Sequence, residues 1–434
     1  MKIAVVGTGY VGLVTATCLA ELGHAVIGLD KDRSKIVTIR SGRAPFYEPG
    51  LDDLLAANLK KGTLRFTDDE AEAIRASEVI FVCVGTPPQE DGSADMSQIE
   101  EVARTIAANL NGYKLVVEKS TVPVKTSAWI KKVMTAFKKS EHPFDVASNP
   151  EFLREGSGVE DFMNPDRVMI GVETERARDL LVRIYERFRD RVVISNIDTA
   201  ELVKHASNSF LAMKISFINR IADLCERTDA DVEMVARGMG LDDRIGKAFL
   251  KAGLGYGGSC FPKDVKALAK IGSELGVDMA LFRMVDAINE DRIRVFVEKV
   301  RKAVWILKGK TVGVLGLAFK PETDDIREAP SIKVIDDLLK QGARLRLYDP
   351  KAADNMKGLF PEDGRAVTYV SDPYEAARGA HILLVVTEWD EIRRLDLAKV
   401  KALMVNPVLI DGRNVFDPAA VRALGFEYAS IGRA

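Results

Sequence analysis

One cysteine in this 434-residue sequence sits where a thiol could react. Leu254-Gly255-Tyr256-Gly257-Gly258-Ser259-Cys260-Phe261-Pro262-Lys263-Asp264 sets Cys260 between a flexible glycine loop and a proline followed by both charge signs. A free thiol is mostly protonated at neutral pH, so nucleophilic work needs positive charge nearby, which Lys263 or a residue folded over the loop would supply. Cys18, Cys83 and Cys225 lie inside apolar helix or strand patterns and read as inert core residues. The four cysteines are far apart and show no CxxC spacing, so reduced thiols in a cytoplasmic protein are expected. The histidines at positions 24, 142, 205 and 381 show no metal-ligand spacing, and no metal is expected.

A second constellation lies at the amino end. Gly7-Thr8-Gly9-Tyr10-Val11-Gly12 follows a strand pattern and opens a helix, where glycines let backbone N–H groups approach a pyrophosphate at the positive helix end. Asp30 ends the next strand about 20 residues on, placed to accept the adenosine ribose hydroxyls, and the pair favours NAD. Lys31 and Arg33 flank that acid and keep a ribose phosphate, hence NADP, open as an alternative. Further strands end in Gly85-Thr86-Pro87, Ser120-Thr121-Val122-Pro123 and Asn149-Pro150-Glu151, and a parallel sheet gathers such ends on one face. Each dipeptide alone reads equally as turn punctuation.

These groups need elements to position them. From residue 1 to about 195, short β-branched runs such as Ile3–Val6, 25–27, 79–82 and 115–117 alternate with amphipathic stretches, which predicts a parallel sheet covered by helices. Asp198-Thr199-Ala200-Glu201 resembles a capping box and opens a helix of about 28 residues, roughly 42 Å long. Leu202, Ala206, Phe210, Met213, Phe217, Ile221 and Leu224 form one apolar stripe on it, suited to packing against other helices, including those of a second subunit. Lys204 and Asn208 lie four apart on the opposite face, where periodicity alone reads as a solvated surface. Near Lys310 the alternation restarts with 311–316, a helix from Ser331, 344–349, 381–386 and 408–411, which predicts a second doubly wound domain.

Size and charge narrow the partners. A chain of this length, 47% hydrophobic, exceeds one core and predicts two or three domains. Lysine plus arginine total 62 against 64 acidic residues, a net charge of −2, so neither nucleic acid nor an anionic membrane is an expected partner. No apolar run approaches the roughly 18 to 20 residues of a membrane span, and the start lacks a signal-peptide pattern.

Gly-Tyr-Val-Gly at 9 to 12, Ser-Thr-Val-Pro at 120 to 123, Asn-Pro-Glu-Phe-Leu-Arg-Glu-Gly at 149 to 156 and Gly-Gly-Ser-Cys-Phe-Pro-Lys-Asp at 257 to 264 together resemble the UDP-glucose/GDP-mannose dehydrogenase family. The resemblance runs in order over essentially the whole chain. It implies an α/β fold of two Rossmann-like doubly wound domains joined by a long central helix and a helical dimerisation region. The expected divisions are 1–197 for NAD binding, 198–308 for the central part with the cysteine loop, and 309–434 for the UDP-sugar.

The implied activity is a four-electron oxidation of UDP-glucose to UDP-glucuronate, with two NAD molecules used in succession. Cys260 would trap the aldehyde as a thiohemiacetal, and the thioester formed by the second oxidation would be hydrolysed. By the same resemblance Lys204 stabilises the oxyanion, Asn208 positions the reacting oxygen, Asp264 helps activate water and Glu151 transfers protons. Thr121 would serve both catalysis and the cofactor. Gly7, Gly9, Tyr10, Val11, Gly12, Asp30, Lys35, Thr86, Glu155, Lys263 and Arg327 would meet the cofactor. The sugar nucleotide would meet Glu151, Phe152, Leu153, Arg154, Glu155, Lys204, Asn208, Phe249, Leu250, Lys251, Ala252, Gly253, Gly257 and Lys320, with Arg244 reaching a neighbouring subunit's substrate. Asp411-Gly412-Arg413-Asn414 keeps one arginine where some relatives carry two, which removes an expected sugar contact from this loop.

Three rivals remain at this level. A GDP-mannose or other sugar-nucleotide 6-dehydrogenase shares the loop, cysteine and helix lysine, although Tyr256 and Phe261 resemble the UDP-glucose branch. A two-electron dehydrogenase of small hydroxy acids would need neither the thiol nor the second α/β unit. A nucleotide sensor without catalysis would have no use for Lys204, Asn208, Cys260 and Asp264 together.

Overall fold

The computed structural model describes residues 1–89 and 92–433. The chain forms two compact units, one of Met1–Ser207 with Lys270–Val277 and one of Asn208–Ala269 with Asp278–Ala434. Each is built on a sheet of short apolar strands whose central members are almost fully buried, the kind covered on both faces by helices.

The first sheet holds β1 (Lys2–Val6), β2 (Ala25–Leu29), β3 (Leu64–Thr67), β4 (Val79–Val82), β5 (Lys114–Glu118), β6 (Phe144–Ser148), β7 (Val168–Gly171) and β8 (Val192–Ser195), in the order β3-β2-β1-β4-β5-β6-β7-β8. The expectation of a parallel sheet needs one correction: β6 and β7 meet antiparallel at Ser148 and Gly171. Between them stands only the helix Gly158–Met163. Six residues rise about 9 Å, too little to carry the chain back along the sheet, so it re-enters from the same end.

The second sheet holds β9 (Thr311–Leu315), β10 (Arg344–Tyr348), β11 (Val367–Tyr369), β12 (Ile382–Val385), β13 (Val408–Asp411) and β14 (Glu427–Ala429), in the order β11-β10-β9-β12-β13-β14, and is parallel throughout. Both sheets thus reverse their winding once, between β1 and β4 and between β9 and β12. Crevices for ligands open at such reversals, outside the carboxyl ends of the strands.

The long helix spans Ile197–Thr228, 32 residues. It starts earlier than expected, and the capping box is corrected accordingly. Asn196 is the cap, its side-chain oxygen accepting the Thr199 amide at 2.8 Å. Glu201 is instead buried and accepts the amides of Lys125 and Ser127 at 2.6 and 2.9 Å, at the start of the helix Thr126–Phe137.

The burial of the long helix reverses the simple reading of its two faces. Leu202, Phe210, Phe217 and Leu224 of the apolar stripe are exposed, Phe210 by 55%. Lys204, His205, Asn208, Ser209, Ser216 and Asn219 on the other face are buried. Periodicity separates the faces, but which one the chain itself covers depends on what packs there. Among the described residues, no helix is long and apolar enough to cross a membrane.

Candidate active site

In the first unit the fingerprint glycines are required by close approach. Gly7 has φ +93°, and a Cβ there would lie 2.6 Å from the Cys83 carbonyl oxygen; one on Gly12 would lie 1.9 Å from that of Gly7. Around Gly9 a Cβ would meet nothing within 4 Å, which leaves open the side on which a pyrophosphate would approach the helix Tyr10–Glu21.

Asp30 follows β2 and accepts the Thr8 amide at 2.9 Å, the Thr8 hydroxyl at 2.7 Å and the Asp32 amide at 3.0 Å. Burial opposes its ionisation, but these hydrogen bonds and the charge of Lys35 prevail and hold the carboxyl below its usual range. Lys31 and Arg33, which kept NADP open, are paired with Glu101 and Asp68. An anionic Asp30 with both cations so engaged fits ribose hydroxyls better than a ribose phosphate. The residues therefore fit NAD. In the second sheet Asp349 occupies the same topological place, yet its Oδ2 is taken by the amides of Leu317 and Ala318 and the Trp389 indole.

The strand ends of the first unit do converge. Thr86 donates its hydroxyl to the Thr121 carbonyl at 2.9 Å, tying the turns after β4 and β5 together. After β6, Glu151 is buried: one oxygen faces the Lys204 ammonium at 2.9 Å and the other accepts the Leu153 amide at 2.6 Å. Lys204 also stands 5.5 Å from the centre of the Phe152 ring, which Arg167 covers from 3.7 Å. The Arg154 guanidinium is engaged by Asp161 through two nitrogens, and its carbonyl accepts the Tyr10 hydroxyl.

Glu48, which no sequence signal marked, holds this segment in place. It is buried and accepts the amides of Gly156 and Gly158, both at 2.6 Å. It thereby fixes the loop carrying Glu155 across 108 residues of chain.

In the second unit Cys260 is half-buried and immediately precedes the helix Phe261–Glu274, with its carbonyl accepting the Asp264 amide at 2.9 Å. A helix start carries partial positive charge, which favours negative charge on the sulfur. Asp264 is fully buried; its Oδ2 accepts the Asn208 amide nitrogen at 2.6 Å and its Oδ1 faces the Lys263 ammonium at 3.1 Å. The bond from Asn208 fastens the beginning of this helix to the long helix, one turn after Lys204.

The glycine loop is not the flexible segment expected from its composition. Asn289 grips the Tyr256 amide and carbonyl at 2.8 and 3.0 Å, and Gly258 donates to the Arg327 carbonyl at 2.8 Å. A Cβ on Gly257 would lie 2.3 Å from the Glu328 carbonyl oxygen, and one on Gly258 2.8 Å from the Phe319 ring. The glycines admit the segment 319–328 against the cysteine loop, which is a packing requirement. Arg413 completes the clamp by donating to the carbonyls of Val386, Gly255 and Phe319.

Other expected residues are placed less specifically. Phe249 (φ +64°), Leu250, Ala252 and Gly253 lead into the loop, Gly253 donating to the Asn219 side chain at 2.8 Å, while Lys251 is exposed. Lys320 is half-buried beyond β9. Arg244 and Arg327 are exposed, each held by the carboxylate two residues before it, Asp242 and Asp325. Tyr256 and Phe261 pack edge to face at 5.8 Å, so they serve the core beneath the cysteine.

Comparison with known proteins follows this geometry. The NAD binding domain of the UDP-glucose/GDP-mannose dehydrogenase family matches residues 1–189, its central domain 198–291 and its UDP binding domain 313–418. The chain is 46% identical over 432 residues to the UDP-glucose 6-dehydrogenase TuaD of Bacillus subtilis, covering 100% of this chain and 93% of that one. It is also 46% identical over 440 residues to the UDP-glucose 6-dehydrogenase of Rhizobium meliloti, with 100% of both chains covered. Among solved structures, a UDP-glucose dehydrogenase from Pyrobaculum islandicum superposes with a TM-score of 0.93 at 40% identity, over 100% of this chain and 98% of that one.

Proposed function

The chain belongs to the UDP-glucose/GDP-mannose dehydrogenase family, and from that premise we propose that it oxidises the C6 alcohol of UDP-glucose to the carboxylate of UDP-glucuronate. The observation that carries the reading is the bond between Asn208 and Asp264, which fixes the start of the Cys260 helix within the second unit. The family division at 1–197, 198–308 and 309–434 is supported by the three matched domains.

NAD, when bound, accepts a hydride in each of the two oxidations. Gly7, Gly9, Tyr10, Val11 and Gly12 would hold its pyrophosphate, Asp30 and Lys35 its adenosine end, and Thr86, Thr121, Glu155, Lys263 and Arg327 the remainder. Glu151 and Lys204, paired out of water, would exchange the alcohol proton and hold negative charge on the reacting oxygen, which Asn208 would orient. The Cys260 thiolate would add to the aldehyde carbon, forming the C–S bond while the oxygen takes up a proton. Loss of the C–H hydride and of the hydroxyl proton from that adduct would leave a thioester, and water activated by Asp264 would break its C–S bond, giving the carboxylate and returning the thiol. One sugar thus consumes two NAD and one water.

Residues 249–253, Gly257 and Lys320 would hold the UDP moiety, and 151–155 the sugar. Arg244 would reach a neighbouring subunit's substrate after leaving Asp242. A cytoplasmic setting fits cysteines that form no disulfide among the described residues.

The direct test supplies purified protein with UDP-glucose and NAD, and two NADH per sugar are expected. One NADH per sugar would identify a two-electron dehydrogenase, and no NADH with any sugar nucleotide would identify a sensor. A higher kcat/KM for GDP-mannose than for UDP-glucose would overturn the substrate assignment.

The exposed stripe supports a homodimer or a higher homo-oligomer built on dimers. Phe210, Phe217 and Leu224 recur at steps of seven along one side of the long helix, the spacing of a helix seam. Phe210→Glu with Phe217→Glu is expected to convert the dimer to monomer in sedimentation velocity, weakening association by about 10²-fold or more. An unchanged sedimentation coefficient would remove this face from the interface.

A further inference from the structure

The first unit buries two lysines that the chemistry above leaves unused, Lys114 and Lys119, and the charge of the second bears on Glu151. Lys119, at the exit of β5, is almost inaccessible, and its ammonium donates to two atoms of a single residue, the Asn149 side-chain oxygen at 3.1 Å and its carbonyl at 3.3 Å. Asn149 is gripped on every other side too. Its amide donates to the Glu118 carbonyl at 2.8 Å, its side-chain nitrogen to the Met169 carbonyl at 2.7 Å, and its side-chain oxygen accepts the Tyr185 hydroxyl at 2.6 Å.

Two residues further on stands Glu151, paired with Lys204. We propose that Lys119 is a positioning residue for Glu151: it locks the chain at Asn149 and adds a fixed positive charge behind the buried Glu151–Lys204 pair. This rests on the proton-transfer role given to Glu151.

A buried ammonium without a carboxylate in hydrogen-bonding contact is costly for a fold to keep, so a role beyond packing is called for. Burial pushes the Lys119 ammonium down to about 8, opposed by Cys83 and Glu151 and reinforced by Lys204. The other titratable groups facing the cluster are the Cys83 thiol, pushed up to about 12 by burial, Glu118, driven well above the carboxylate range by burial, and Tyr185. Lys119 thus bears on Glu151 as a charge as well as through geometry.

The test is a double-mutant cycle of Lys119→Met and Glu151→Gln, with folding checked by thermal melting. In the parent background Lys119→Met is expected to lower kcat by about 10-fold, with KM for both substrates changed less, and to move the acid limb of the kcat profile to higher pH. In the Glu151→Gln background the same change is expected to alter kcat by less than about 2-fold, since the effect passes through Glu151. Lys119→Gln, which keeps an amide donor without the charge, is expected to move the acid limb as Lys119→Met does.

Additive losses in the cycle, parent kcat in Lys119→Met, or a loss of rate with no movement of the acid limb would each overturn the proposal. Failure of both Lys119 variants to fold would also count against it, since they would then act on the fold itself. Parent turnover in Glu151→Gln alone would refute the reading of Glu151 and is separable from any outcome at Lys119.

Discussion

Cys260→Ser is expected to retain the parent's fold and its affinity for NAD while losing UDP-glucuronate formation by about 10³-fold or more. The substitution changes one atom at a half-buried position before a helix. Helix-start polarity can favour a thiolate at neutral pH, but it cannot ionise an alcohol to the same degree. Without sulfur the aldehyde is not held covalently, and the second oxidation has no thiohemiacetal to act on. The check is product quantitation by chromatography with NAD binding measured in parallel. Intact-protein mass spectrometry should find a sugar adduct on a slow variant that keeps Cys260, and none on the serine variant. Parent rates of acid formation by Cys260→Ser would exclude covalent catalysis through sulfur.

Lys204→Ala is expected to slow turnover by about 10²- to 10³-fold, the usual cost of deleting a charged donor aimed at a developing oxyanion. It should also destabilise the fold, because Glu151 then keeps its burial and loses the Lys204 ammonium paired with it. A buried pair broken on one side costs about 3 kcal/mol or more. The two effects separate in the double variant Lys204→Met with Glu151→Gln, which removes both charges together. Thermal stability is expected to recover toward the parent value, and kcat is not. If the double variant turned over at the parent rate, the pair would be structural and the oxyanion role wrong.

Much of this was legible in the residues. The fingerprint glycines and Asp30 announced a dinucleotide site because a tight strand-to-helix turn and a strand-end acid are local requirements, met within about 20 residues. The second doubly wound unit was readable for the same reason, as apolar strands and amphipathic helices alternate there in short repeats. The expected long helix is present, although its cap is Asn196 and not Asp198. Capping depends on a one-residue register that periodicity does not resolve.

Cys260 also stood out by its neighbours, but the reason for the surrounding glycines did not. They proved to be sites of close approach by Phe319 and Glu328, residues about sixty and seventy positions later in the chain. Lys204 and Asn208 looked like a solvated face and are buried, because burial belongs to whatever the fold lays over a helix and not to the helix's own pattern.

What the sequence by itself determined, then, is everything set by short-range stereochemistry: which backbone turns must be glycine, which runs are strands, where a thiol and an acid could stand. Only the tertiary structure decided the supports, namely Glu48 on Gly156 and Gly158, Arg413 on Gly255 at a separation of 158 residues, and Lys119 on Asn149. Each is a buried or half-buried polar group satisfied by an atom distant in the chain. No local pattern encodes such a pairing, because it exists only once the chain has brought donor and acceptor together out of water.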